Sequence, residues 1–169
     1  MGQFDIKKGR HYCRWFWIKM FHPRWNHKKW SIELVIHADN WIEYREGETI
    51  NKLYGCGFGF SHHENSWRIG WTYNFKKKGY FFIHAYCYDE TGTHISELIG
   101  EVKGSKVYSV MVESIRDRYY FTCLDLGATI VDIPNVHKDC KLQFDLYPYH
   151  GGKLTAPKNE TFFIDYQPL

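Results

Sequence analysis

Ten histidines make metal ligation the first chemistry to weigh in this 169-residue chain, and His62, His63 and Glu64 form their densest cluster. Neighbouring residues of a strand point to opposite faces, so these two histidines can share an ion only within a turn. The run HHEN is not HExxH, and no third ligand is fixed by spacing. The reading is a pair of surface or hairpin-end histidines, with no metal site and no cofactor. Nucleophilic catalysis has no GxSxG elbow to stand on. Glycoside hydrolysis needs two carboxylates set across a sugar chain. Here Asp125, Asp132 and Asp145 are isolated, while Glu160 and Asp165 lie an odd interval apart and face opposite sides of a strand. Lyase chemistry would bring an Arg, a His and a Tyr onto one sheet face. Arg68, His84 and Tyr86 are the candidates, and nothing in their spacing brings them together, so no catalytic residue is assigned.

The elements that would position any such group are strands. Alternating runs occur at Tyr12 to Met20, Trp30 to His37, Tyr54 to Phe60, Trp67 to Asn74, Tyr80 to Tyr88, His94 to Val102, Val107 to Ser114, Tyr119 to Leu124, Ala128 to Ile133, Leu142 to Tyr149 and Thr161 to Tyr166. Turn-like clusters at Lys76 to Gly79 and Asp89 to Gly92 separate them, as in antiparallel hairpins. No stretch carries a 3.6-residue apolar stripe. The longest candidate loop, Asp39 to Asn51, has room for one helical turn, and long loops in compact domains often carry function.

Alternation divides the strands into faces. In Tyr80 to Tyr88 the Ile83, Ala85 and Cys87 side reads as core, which leaves His84, Tyr86 and Tyr88 as an aromatic stripe on the other face. That stripe is either a surface for planar sugar rings or the solvated side of a sheet. Glycine takes every second position in Gly55, Gly57 and Gly59, leaving one strand face bare. Glycine inside a strand marks a close approach, and rings such as Trp67, Trp71 or Tyr73 are expected to cover it. A phosphate-binding loop is excluded by its spacing and by the lack of a following helix. Further anchors for a partner are sought among Trp41, Tyr44 and Arg45 in the long loop and Tyr147, Tyr149 and His150 near the last turn, because aromatic and Arg side chains dominate interface hot spots.

Composition bounds the rest. The chain holds 7 Trp, 13 Tyr and 12 Phe, a surplus of large rings that favours strands and interfaces. Its length suits a single domain spanning residues 1 to 169. A net charge of +3 is too mild to imply nucleic acid. The basic residues Lys7, Lys8, Arg10, Arg14, Lys19, Arg24, Lys28 and Lys29 alternate with aromatics and read as a solvated strand face, the alternative being a surface for an anionic partner. Five cysteines, widely spaced and without CxxC, argue against a disulfide framework or a zinc knuckle. With no apolar leader in MGQFDIKKG and no run of membrane-spanning length, synthesis in a reducing cytoplasm is expected, with no membrane partner.

The segments GRHYCRWFWIKMF, NKLYGCGFGFSHHENSWRIGWTYN, HAYCYDETGTH and LYPYHGGKLTAPKNETFFIDY resemble a group of small proteins of Bacteroidetes bacteriophages, including crAss-like phages. The most specific parts are His11-Tyr12, Lys52 to Gly59 with His62-His63 and Trp71, Leu146 to Gly152, and Thr155 to Pro157. The closing pattern is similar to the last strands of concanavalin-like jelly rolls, although Lys158 and Asn159 stand where a His-Asp pair would be expected. The resemblance implies an all-β, concanavalin-like jelly-roll sandwich of two antiparallel sheets, and a viral origin. The function expected is a non-enzymatic virion-associated module, made in the bacterial host cytoplasm, that attaches to a virion protein or a surface glycan and is open to oligomerisation. The alternatives are a carbohydrate-binding module outside the virion and a sugar-active hydrolase or lyase.

Overall fold

The computed structural model describes residues 1–13, 23–25 as backbone, 27–47, 49–58, 65–88, 91–127, 129–134 and 142–169. Among them run β1 (Gly2–Ile6), β2 (Pro23–Trp25), β3 (Lys29–Ile36), β4 (Asn51–Phe58), β5 (Ser66–Tyr73) and β6 (Tyr80–Tyr88). They are followed by β7 (His94–Lys103), β8 (Tyr108–Ile115), β9 (Arg118–Cys123), β10 (Thr129–Pro134), β11 (Leu142–Leu146) and β12 (Glu160–Pro168). One six-stranded sheet is ordered β1-β12-β3-β8-β9-β10 and the other β2-β11-β4-β5-β6-β7. Neighbouring strands are antiparallel throughout both sheets. The protein is an all-β jelly-roll sandwich of two antiparallel sheets, as the alternation and the resemblance together led one to expect.

The core is what the period-2 pattern dictates. Phe81, Ile83, Ala85 and Cys87 of β6 and Trp67, Ile69, Trp71 and Tyr73 of β5 are buried against Trp30, Ile32, Leu34, Val110, Val112, Phe121 and Phe162 of the facing sheet. Rings lock the two layers together: Trp30 lies 5.0 Å from Trp67, Trp67 6.0 Å from Phe121, and Trp71 5.5 Å from Phe162. Cys13, Cys56, Cys87 and Cys123 are buried thiols, and Cys140 lies outside the described residues.

Several expected elements differ. Most of the Tyr12 to Met20 run falls outside the described residues, and Tyr12 and Cys13 form isolated bridges. The N-terminal residues, not expected to be a strand, pair as β1 with β12, placing Phe4 and Ile6 in the core. The long loop carries a 3₁₀ turn at Ala38–Asn40 and ends where Asn51 opens β4, earlier than the expected Tyr54, because Asn51 and Lys52 already pair with Trp71 and Gly70.

Candidate functional site on the outer face of the second sheet

Register places one side-chain set of β4 to β7 on the face turned away from the core. Lys52 pairs with Gly70, Gly55 with Arg68, Arg68 with Tyr86, Gly70 with His84, and Tyr88 with His94. The stripe His84, Tyr86, Tyr88 is therefore on the outer face, as alternation required. It is not uniformly solvated: Tyr86 is only 3% exposed, whereas His84 and Tyr88 are half-buried. The Tyr86 ring stacks on His94 at 5.0 Å, meets Tyr88 edge-on at 5.0 Å, and lies under the Lys52 ammonium, 4.4 Å from its centroid.

The bare face of β4 is covered, but by other side chains than expected. Trp67, Trp71 and Tyr73 point into the core, and it is the Arg68 stem that lies across Gly55, where an added Cβ would sit 2.5 Å from Arg68 Cδ. Leu146 covers Gly57, and Gly59 lies outside the described residues. Glycine at position 55 thus leaves room for the Arg68 stem against the sheet. A wall is added by Tyr149, which bridges both Lys52 and Tyr12. The Tyr149 ring sits 5.0 Å from Tyr12 and stacks on His11 at 5.7 Å.

Two cations thus lie among four tyrosines. Arg68, 2% exposed, is lowered to about 10 by burial, against which Tyr88, Tyr86 and Tyr149 pull upward. Lys52, 6% exposed, falls to about 8 through burial and then the repulsion of Arg68. Burial raises the Tyr86 and Tyr149 hydroxyls above their ordinary value, so at neutral pH they are hydrogen-bond donors and not bases. His84, with Nε2 3.1 Å from Thr72 Oγ1, is pushed down to about 4 by burial and is neutral at pH 7. The face combines a positive floor with neutral aromatic and hydroxyl groups, a combination suited to an anionic, ring-bearing ligand.

The loop and last-turn candidates divide. Tyr44 is 73% exposed and near Phe75, and Tyr149 belongs to the outer face. The others are built into the frame. The Trp41 indole donates to Asn74 O at 2.8 Å and its ring packs on the core, so it has the structural duty the sequence did not reveal. Tyr147 is buried against Phe4, with its hydroxyl 2.8 Å from that of Tyr166. Tyr147 belongs to the core, whereas the Tyr149 ring meets Tyr12 and His11. Arg45 and His150 are brought together, Nη1 to Nδ1 at 3.3 Å, but His150 is buried and not a surface anchor.

His62, His63 and Glu64 lie outside the described residues, and among the described residues no group of three His, Cys, Asp or Glu side chains could hold a metal ion. The sequence reading passed over Lys52 and His94 as site residues. Lys52 had a signal: it is a lone cation at the head of an otherwise uncharged strand, as Arg68 is within Ser66–Tyr73.

No protein-family model matches the sequence, and no curated protein matches it. Among solved structures, the alginate lyase AlyC3 is similar with a TM-score of 0.59 at 10% identity, over 98% of this chain and 74% of that one. The same lyase in complex with dimannuronate gives 0.58 at 10% identity, over 98% and 73%. The alginate lyase from Klebsiella pneumoniae gives 0.58 at 6% identity, over 84% of this chain and 60% of that one. At these identities the likeness is one of fold, and function has to be argued from the site.

Proposed function

We propose that this protein is a non-enzymatic glycan-binding module, carried on a bacteriophage particle, that lays an acidic saccharide along the outer face of its second sheet. The observation that carries this reading is the pair Lys52 and Arg68 set among Tyr12, Tyr86, Tyr88 and Tyr149. Aromatic faces take the apolar side of a sugar ring, hydroxyls donate to its oxygens, and the positive floor favours a carboxylate. Contact runs through the half-buried Tyr12, Tyr88 and Tyr149 and the exposed His94, with the two cations supplying the field. The lyases of similar fold, one holding dimannuronate, lend support to an acidic sugar. The sequence resemblance to bacteriophage proteins supports the particle.

Calorimetric titration with acidic and neutral oligosaccharides tests the reading. Binding of the acidic set that weakens with salt is expected; equal affinity for both sets, or none for either, overturns it. Mass spectrometry of purified particles tests the location, and absence of the chain there refutes it.

A second reading, a sugar lyase, is favoured by one observation: Arg68 lies directly across from Tyr86, with His84 on the same face. Against it, the Arg68 and Tyr86 side chains are almost fully covered. Ultraviolet absorbance from an unsaturated product on incubation with a polyuronate would decide for the lyase.

A further inference from the structure

Behind the Tyr149 wall lies a buried polar chain that the glycan reading does not use. Arg45, half-buried in the long loop, places Nη1 3.3 Å from His150 Nδ1, and its other amine donates to Thr155 O. Guanidinium nitrogens only donate, so Nδ1 accepts and the ring proton sits on Nε2. That nitrogen faces Glu160, 3.2 Å from Oε1 and 3.1 Å from Oε2. The Tyr73 hydroxyl donates to the same carboxylate. Donation therefore runs from Arg45 to His150 to Glu160, with Tyr73 joining at the end. His150 is 1% exposed and Glu160 0%.

The backbone joins this chain to the outer face. His150 N donates to His11 O at 2.8 Å, and the His11 ring Nδ1 lies 2.9 Å from His150 O. On one side, Tyr149 exchanges two hydrogen bonds with Lys52, at 2.8 and 2.9 Å. On the other, Gly151 N donates to Asn51 Oδ1 at 3.1 Å, and Gly151 sits so close that a Cβ would be 2.6 Å from Ile50 O and 3.0 Å from Lys52 Nζ. Ile50 O in turn holds the Lys52 ammonium at 2.8 Å. The inward side chain of His150 thus pins the strip whose backbone is hydrogen-bonded to Lys52.

We propose that Arg45, His150 and Glu160 are positioning residues that fix Lys52 and Tyr149 on the outer face and so set how strongly that face binds an anionic ligand. The role in affinity rests on the glycan reading; the positioning does not. Stability alone gives no reason for the relay, since apolar replacements of buried ion pairs are often neutral or stabilising. A preorganised cation, by contrast, spares the ligand the entropy of ordering it.

The test uses the intact chain with Arg45→Met, Arg45→Lys and His150→Gln. Two quantities are read: the NMR titration of the Lys52 ε-methylene, and the affinity for a uronic-acid hexasaccharide. In Arg45→Met the Lys52 midpoint is expected to rise from about 8 by roughly a pH unit, as a freed lysine returns to water. Affinity should fall at least fivefold. Arg45→Lys, which keeps one charged donor, and His150→Gln, whose amide can accept from Arg45 and donate to Glu160, should each recover at least half of both effects. An unchanged Lys52 midpoint in folded Arg45→Met overturns the proposal, as does failure of both conservative variants to rescue. Should Arg45→Met not fold, Arg45→Lys is expected to show a smaller rise in the same midpoint, and no rise overturns the proposal. If the wild type binds no hexasaccharide, the glycan reading falls while the Lys52 titration still decides the relay.

Discussion

Replacing Gly55 with Ala puts the close approach of β4 and β5 to a quantitative test. The added Cβ would lie 2.1 Å from Trp67 O, 2.5 Å from Arg68 Cδ and 2.8 Å from Arg68 Cα. Two of these atoms are backbone of the paired strand, so the methyl cannot be accommodated by a side-chain rotation and the β4–β5 pair must separate. Gly57 is the internal control, on the same strand and face. The three atoms nearest its Cβ all belong to the Leu146 side chain, the closest at 3.1 Å, and a side-chain tip yields more readily than backbone. Overpacking costs about 1–3 kcal/mol, whereas relief of glycine's backbone entropy returns about 0.5–1 kcal/mol. Gly55→Ala, with its clash against backbone at the upper end of that range, is therefore expected to lose about 2 kcal/mol, and Gly57→Ala to stay within about 1 kcal/mol of wild type. For a chain of this size the first corresponds to a fall in Tm of roughly 4–8 °C. Urea unfolding with a common m-value reads the difference. Equal midpoints for the two variants would refute the argument that backbone contact, and not glycine as such, is what matters.

Three further outcomes follow from the same structure. Tyr54 donates to Asp145 Oδ1 at 2.7 Å with both residues fully buried, so Tyr54→Phe should cost about 1–3 kcal/mol in chemical denaturation by depriving a buried carboxylate of a donor. Lys52 has a folded pKa of about 8 against 10.5, so between those values the unfolded chain holds more protons and stability rises with pH. Wild type should gain on Lys52→Met by on the order of 3 kcal/mol from pH 8 to 10.5, and a flat difference would contradict the burial. His84, lowered to about 4, binds its proton later than in the unfolded chain, so its contribution is lost as pH falls from 6.5 to 4, and His84→Asn should flatten that acid limb of the melting curve.

The sequence made the sheets legible because alternation is local: Phe81, Ile83, Ala85 and Cys87 could be assigned to the core from β6 alone. It also put His84, Tyr86 and Tyr88 on one face. What lies over that face depends on strand order, which alternation does not contain. The bare glycines announced a close approach, yet only the β4–β5 register shows that Arg68, and not a tryptophan, crosses Gly55. Likewise Arg45 and His150 could be marked as residues of interest. Their meeting depends on the long loop reaching the last turn, with β12 bringing Glu160 alongside. The structural duty of Trp41 is hidden from the sequence for a related reason, since the carbonyl its indole reaches belongs to Asn74, in a distant turn.

The central claim, that an acidic glycan binds the outer face of the second sheet, is tested most directly by NMR shift mapping with a uronic-acid hexasaccharide at low salt. The account expects the largest changes at Tyr12, Tyr88, His94 and Tyr149, fading as salt is raised. Changes centred on Tyr44 and the loop rim, or none at millimolar ligand, would contradict it.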